Sequence, residues 1–166
     1  MRKREFAAAA LAAAVAPLAA RAQGGGQGAT QGAHGHGPHA TVQPNALRWS
    51  APAAYARGAQ LAVLHGDPSK EGMYVVRLRV PAGFRIAAHT HPNDENVTVL
   101  SGSFNIGTGD RLDEAKGERV AAGGYSFVAK GMTHYAWFTE DTELQLHGMG
   151  PQGIRYVNPA DDPRNQ

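Results

Sequence analysis

The chain has 166 residues, enough for one domain and some additional sequence, and it contains no cysteine. Disulfides and thiolate metal ligands are therefore excluded, and any transition metal must rest on His, Asp, Glu or Met. The formal charge of +2 depends on the first residues: losing Arg2, Lys3, Arg4 and Arg21 against Glu5 takes it to −1, which removes the main argument for a nucleic-acid partner.

Those first residues read as an export signal. Arg2, Lys3 and Arg4 make a basic n-region, Ala7 to Ala20 a weakly apolar run, and Ala20-Arg21-Ala22 an A-x-A cleavage site. Residues 1–22 are thus expected to be a signal peptide, cleaved after Ala22, leaving an exported, periplasmic or secreted protein. Lys3-Arg4-Glu5-Phe6 is similar to the core of a twin-arginine signal, with Lys in place of the first Arg. No later stretch is long and apolar enough to span a bilayer, so no membrane association is expected after cleavage.

Residues 23–45 are rich in Gly, Gln, Ala and His and hold nothing that could form a core; they read as a flexible linker. His34 and His36 there are two apart, but glycine leaves their imidazoles unoriented. From residue 46 the pattern becomes that of a folded domain, taken as 46–158. Trp49, Pro52 and Tyr55 lie in a non-regular entry segment, where the aromatics are expected to cover the core edge. Gln60 to His65 reads as a short apolar strand. Met73 to Val80 alternates, placing Tyr74, Val76, Leu78 and Val80 on one face and Arg77 and Arg79 on the other.

The stretch Gly83 to Gly102, GFRIAAHTHPNDENVTVLSG, is the most informative in the chain. Residues i and i+2 leave a strand from one face, so His89 and His91 are expected to project together. The turn Pro92-Asn93-Asp94 then returns the chain, and Glu95 opens the β-branched strand that follows. Asp94 is the rival carboxylate, but the strand-start position favours Glu95.

Ser103 to Gly107 reads as another strand and Thr108 to Glu118 as a polar loop with one helical turn; its acidic residues lack calcium-loop spacing. Strands follow at Tyr125 to Val128, His134 to Phe138, Glu143 to His147 and Ile154 to Val157, with a C-terminal tail at 159–166. Eight or nine short strands between Gly/Pro turns, and no long amphipathic helix, predict an all-β sandwich or barrel. His134 begins a strand after a glycine turn and supplies a third imidazole. Three imidazoles and one carboxylate suit one divalent transition metal, whether Fe, Mn, Ni, Cu or Zn. His65 and the residues Tyr135 and Trp137 read as structural.

Gly83, His89, His91, Glu95 and Gly102 match every fixed position of the pattern G-x5-H-x-H-x3-E-x6-G. Gly123, Gly131 and His134 match G-x5-P-x-G-x2-H-x3-N, in which Ala129 replaces the Pro and Phe138 the Asn. With these motifs the chain resembles the cupins, and the short gap between them is similar to that of single-domain bacterial cupins. The resemblance implies a double-stranded β-helix (jelly-roll) barrel with His89, His91, Glu95 and His134 on one metal. Phe138, on the same strand face as His134, and Gln145 are candidate substrate-pocket residues. His147, which shares a face with Gln145, is the candidate catalytic acid–base group. The expected function is a mononuclear metal-dependent oxidoreductase, dioxygenase-like, acting on a small oxygenated molecule. The alternative is a non-catalytic exported protein that binds a metal or a small ligand. The family also implies a homodimer.

Overall fold

The computed structural model describes residues 39–166. The signal-like segment and the linker histidines His34 and His36 lie outside the described residues. Ten strands follow in chain order: β1 (Gln60–His65), β2 (Gly72–Val80), β3 (Arg85–Thr90), β4 (Glu95–Ser101), β5 (Ser103–Thr108), β6 (Gly117–Ala121), β7 (Tyr125–Val128), β8 (His134–Trp137), β9 (Thr142–Gly150) and β10 (Arg155–Tyr156). They pair into two antiparallel five-stranded sheets, in the orders β1-β2-β9-β4-β7 and β10-β3-β8-β5-β6.

Alternation drives the pairing. On β2 the side chains of Tyr74, Val76, Leu78 and Val80 are all buried, while Arg77 and Arg79 face outward and share Glu143 of β9 at 3.0 and 2.8 Å. Leu144 and Leu146 of β9 and Val97 and Val99 of β4 continue the inner face. Ile86, Phe104, Ala136 and Tyr156 meet them from the other sheet. A second, smaller cluster joins Ala88, Tyr135 and Trp137 with Leu112. Gly107 and Gly117 make room for those two rings, since a Cβ at either position would run into Tyr135 or Trp137. Tyr135 and Trp137 thus pack within the protein framework.

The all-β reading stands, but the jelly-roll barrel does not. Among the described residues neither sheet closes on itself: β1 and β7 are the edge strands of the first and β10 and β6 of the second, and the outer side of β1 carries an isolated bridge from Leu61 to Ser50. The two inner faces are held together by packed side chains rather than by a continuous hydrogen-bonded ladder, which is a sandwich. Short edge strands are one reason, since β7 has four residues and β10 two. The stretch expected to be a polar loop also contains β6, which pairs with β5 from Ser103↔Ala121 to Gly107↔Gly117. Its residues are mostly exposed, so backbone pairing at a sheet edge, not an apolar pattern, forms it. The expected helical turn is present just before it, at Glu114–Lys116, with the Asp113 carboxylate accepting from the Ala115 amide.

Beyond β10 the chain makes two single 3-10 turns, Pro159–Asp161 and Pro163–Asn165. Arg164 donates to the Ile154 carbonyl at 3.0 Å and tethers this tail to the sandwich. Among the described residues no helix is long and apolar enough to cross a membrane.

Candidate metal centre

The first element of the site is a defect in β3. Its pairing with β8 runs Ile86↔Ala136 and then His89↔His134, three residues on one strand against two on the other. Strict alternation from Ile86 would turn His89 outward; the bulge turns it inward, opposite His134. His91 lies one residue past the end of β3, and the turn 92–94 then crosses from one sheet to the other, so that Glu95 opens β4. This crossing is tied down at three points. Gly131 N donates to the His91 carbonyl at 2.9 Å, Lys130 N to the Asp94 carboxylate at 2.8 Å, and Asn93 Nδ2 to the Pro151 carbonyl at 3.0 Å. The Asp94 carboxylate is thereby occupied in holding the turn.

His89, His91 and His134 are each buried at 3% exposure, and one ring nitrogen from each lies within 4.8 Å of the others. Their Nδ1 atoms face backbone carbonyls: Ala87 for His89 and Gly153 for His91, both at 2.7 Å, and Met132 for His134 at 3.1 Å. A carbonyl can only accept, so each Nδ1 carries the proton and each Nε2 is left with its lone pair. Nε2 of His91 has no hydrogen-bond partner despite its burial. Three imidazoles fixed in that tautomer from behind are the donor set of a transition-metal ligand cluster. The site takes one divalent transition metal.

Glu95, also buried, presents Oε2 3.4 Å from His91 Nε2. Its other oxygen accepts from Gln152 Nε2 at 3.1 Å, which orients the carboxylate. Gln152 carried no sequence signal: it lies outside both motifs and reaches the site only because β9 and β10 bring it there. Burial lowers the pKa of His89 to about 3, helped by the neighbouring His134 and His91, and burial lowers that of His134 as well. Burial acts against a proton on His91 too, but the adjacent Glu95 outweighs it and the net shift is upward. For Glu95 burial favours the neutral acid; the facing imidazoles, His91 above all, reverse that and its pKa falls.

These groups line a chamber of about 30 Å³ together with Phe138, Ile106, Leu144 and Leu146, room for about one water-sized occupant. Phe138, the pocket candidate, is on its wall. The structure does not bring the other two candidates there. Because Leu144 and Leu146 face the chamber, the intervening alternation puts Gln145 and His147 on the outer face of β9. There Gln145 stands beside Arg77 and Thr98, and His147 beside Val75 and Asn96. Tyr55, expected only to cover the core edge, lines the chamber as well. A larger cavity, about 710 Å³, contains none of the three histidines and is lined by Arg85, Arg111 and Asp161 among others.

No curated protein sequence matches the chain. Among solved structures, the polyketide cyclase RemF from Streptomyces resistomycificus is similar with a TM-score of 0.64 at 17% identity, over 76% of this chain and 91% of that one. A putative acetylacetone dioxygenase from Methylibium petroleiphilum PM1 gives 0.57 at 24% identity, over 75% and 85%. An acetylacetone dioxygenase from Acinetobacter johnsonii gives 0.56 at 18% identity, over 80% and 86%. At these identities the likeness is one of fold. The model of the ChrR cupin-like domain matches residues 38–152. That span holds both histidine motifs and most of the two sheets, and the chain belongs to this cupin-like family.

Proposed function

We propose that this protein is a mononuclear metal-dependent oxidoreductase, dioxygenase-like, acting on a small oxygenated molecule. The observation that carries the reading is the set of three buried imidazoles with Nδ1 committed to backbone carbonyls and Nε2 directed to one point. His89, His91 and His134 would hold the metal from these nitrogens, with the Glu95 carboxylate as the fourth ligand. A redox-capable divalent metal held there supplies Lewis acidity and electron transfer, with coordination positions left for small ligands.

The chain's own residues do the rest. Gln152 holds Glu95 in place, and the backbone carbonyls of Ala87, Gly153 and Met132 hold the three rings. Phe138, Ile106, Leu144 and Leu146 exclude bulk water from the chamber, which strengthens every electrostatic interaction inside it. The acetylacetone dioxygenases that share the fold lend the reading its reaction type. The export reading of residues 1–22 and the linker reading of 23–45 belong to the same proposal, supported by the order of basic, apolar and small-residue segments.

The test is oxygen uptake by Fe- or Mn-loaded protein against neutral phenols, β-diketones and carboxylic acids. Uptake coupled to loss of one of these substrates is the expected result. Stoichiometric metal with no uptake for any of them would sink the oxidoreductase reading and leave a binding protein.

A further inference from the structure

The metal chamber, at about 30 Å³, has no space for a molecule of substrate size. A second cavity of about 260 Å³ adjoins it, and Tyr55 and Leu146 line both. We propose that this second cavity binds a small, neutral, hydroxylated molecule, a phenol or an enol, through the Tyr74 hydroxyl and the Gln152 side-chain oxygen, and presents it to the metal centre.

Its walls set the ligand's bulk chemistry. Pro52, Leu61, Val76 and Ile154 supply apolar surface, and no charged side chain lines the cavity. A carboxylate or phosphate entering it would give up its hydration without meeting a cation, and would approach the buried Glu95 held by Gln152. The volume lies just under the range of about 300–1,000 Å³ typical of drug-sized ligands. That points to a single ring or a short branched chain.

Two unpaired polar atoms set the rest. Tyr74 is wholly buried and lines the cavity, yet its hydroxyl has no hydrogen-bond partner. Gly148 packs close to it: a Cβ there would stand 3.2 Å from that oxygen and would run into the Asp94 carbonyl. Gln152 Nε2 donates to Glu95, and since a carboxylate can only accept, the orientation of the amide is determined. Its Oε1 is then left buried and unpartnered. Buried polar groups without partners are rare and costly in native proteins. Here one donor and one acceptor, both unsatisfied, are lining residues of the same apolar cavity. A ligand hydroxyl can accept from Tyr74 and donate to Gln152; an enol paired with a carbonyl does the same with two oxygens.

The inference rests on the proposed metal centre for its purpose, but binding can be read without turnover. Full-length protein loaded with redox-silent Zn is titrated calorimetrically with p-cresol and with 4-hydroxybenzoate, in which a carboxylate replaces the methyl group. We expect one p-cresol per chain and at least tenfold weaker binding of the carboxylate. Tyr74→Phe removes only the unpaired hydroxyl, so it should retain one Zn per chain and an undiminished thermal midpoint while weakening p-cresol roughly five- to tenfold. Leu61→Trp, which fills the cavity, should abolish p-cresol binding and retain the Zn. Absence of p-cresol binding to the wild type, equal affinity for the carboxylate, or unchanged affinity in both variants would overturn the inference. Binding as described without oxygen uptake by the Fe-loaded protein would overturn the oxidoreductase reading alone.

Discussion

At the scale of single residues, the three imidazoles are set up by what lies behind them. Each Nδ1–H is committed to a backbone carbonyl, so the ligating nitrogen is chosen before any metal arrives, and little tautomeric freedom remains to be lost on binding. His89→Ala and His134→Ala should each abolish stoichiometric metal, read by elemental analysis of purified protein; undiminished metal in both would move the site elsewhere. The same burial makes the metal-free fold acid-sensitive. His89 titrates at about 3 in the folded chain and near 6.5 when unfolded. Between those values the unfolded chain binds the extra proton, so stability falls with pH by up to about 1.4 kcal/mol per unit. His134 is shifted the same way. His91, shifted upward by Glu95, favours the fold at low pH and loses that contribution as pH rises through its folded value. Two groups outweigh one, and the thermal midpoint of metal-free protein should drop as pH falls from 6.5 towards 4. In His89→Ala that slope should be shallower, as thermal scans at several pH values would reveal.

At the scale of elements, the motif positions have separate physical duties. The bulge in β3 aims His89, and the turn 92–94 transfers the chain between sheets so that a carboxylate from one meets imidazoles from the other. Gly102, the last residue of the first motif, makes the tight link from β4 to β5 at φ +71°, where a Cβ would also strike the Asp141 carbonyl. Gly102→Ala should therefore cost on the order of 1–3 kcal/mol. Denaturant unfolding would register it as a lower midpoint, and an unchanged midpoint would refute the strain argument. The Pro-to-Ala and Asn-to-Phe departures of the second motif fall at Ala129 and Phe138, neither of which presents a ligand atom. Phe138 instead adds apolar wall to the chamber, between Phe84 and Phe104 at 6.1 and 6.2 Å between ring centres.

At the scale of the whole molecule, the site spans both sheets of the sandwich. His89 and His134 come from one sheet and Glu95, the proposed fourth ligand, from the other, so on that proposal metal binding should brace the two layers against each other. The three imidazoles all come from within the domain, and the histidine-rich stretch precedes it in the chain. Deleting residues 23–38 should leave one metal per chain and an unaltered thermal midpoint. Loss of the metal from the deletion variant, detected by elemental analysis, would instead assign it to that stretch.

The local code was legible from the amino-acid order alone. Alternation located the inner face of β2, glycine placed the turns, and the spacing of His89, His91 and His134 marked the three imidazoles that converge. Each of these depends on periods of two or on single-residue conformations, which a linear pattern records directly. Only the tertiary structure decided the rest, because it depends on pairings between distant segments. Gln152 reaches Glu95 across 57 residues. Gln145 and His147 face outward because Leu144 and Leu146 have the core. The edge strand β6 forms through its backbone, and the sheets end in edge strands instead of closing into a barrel. The same long-range packing makes the apolar cavity that Tyr74 and Gln152, each with an unpaired polar atom, help to line.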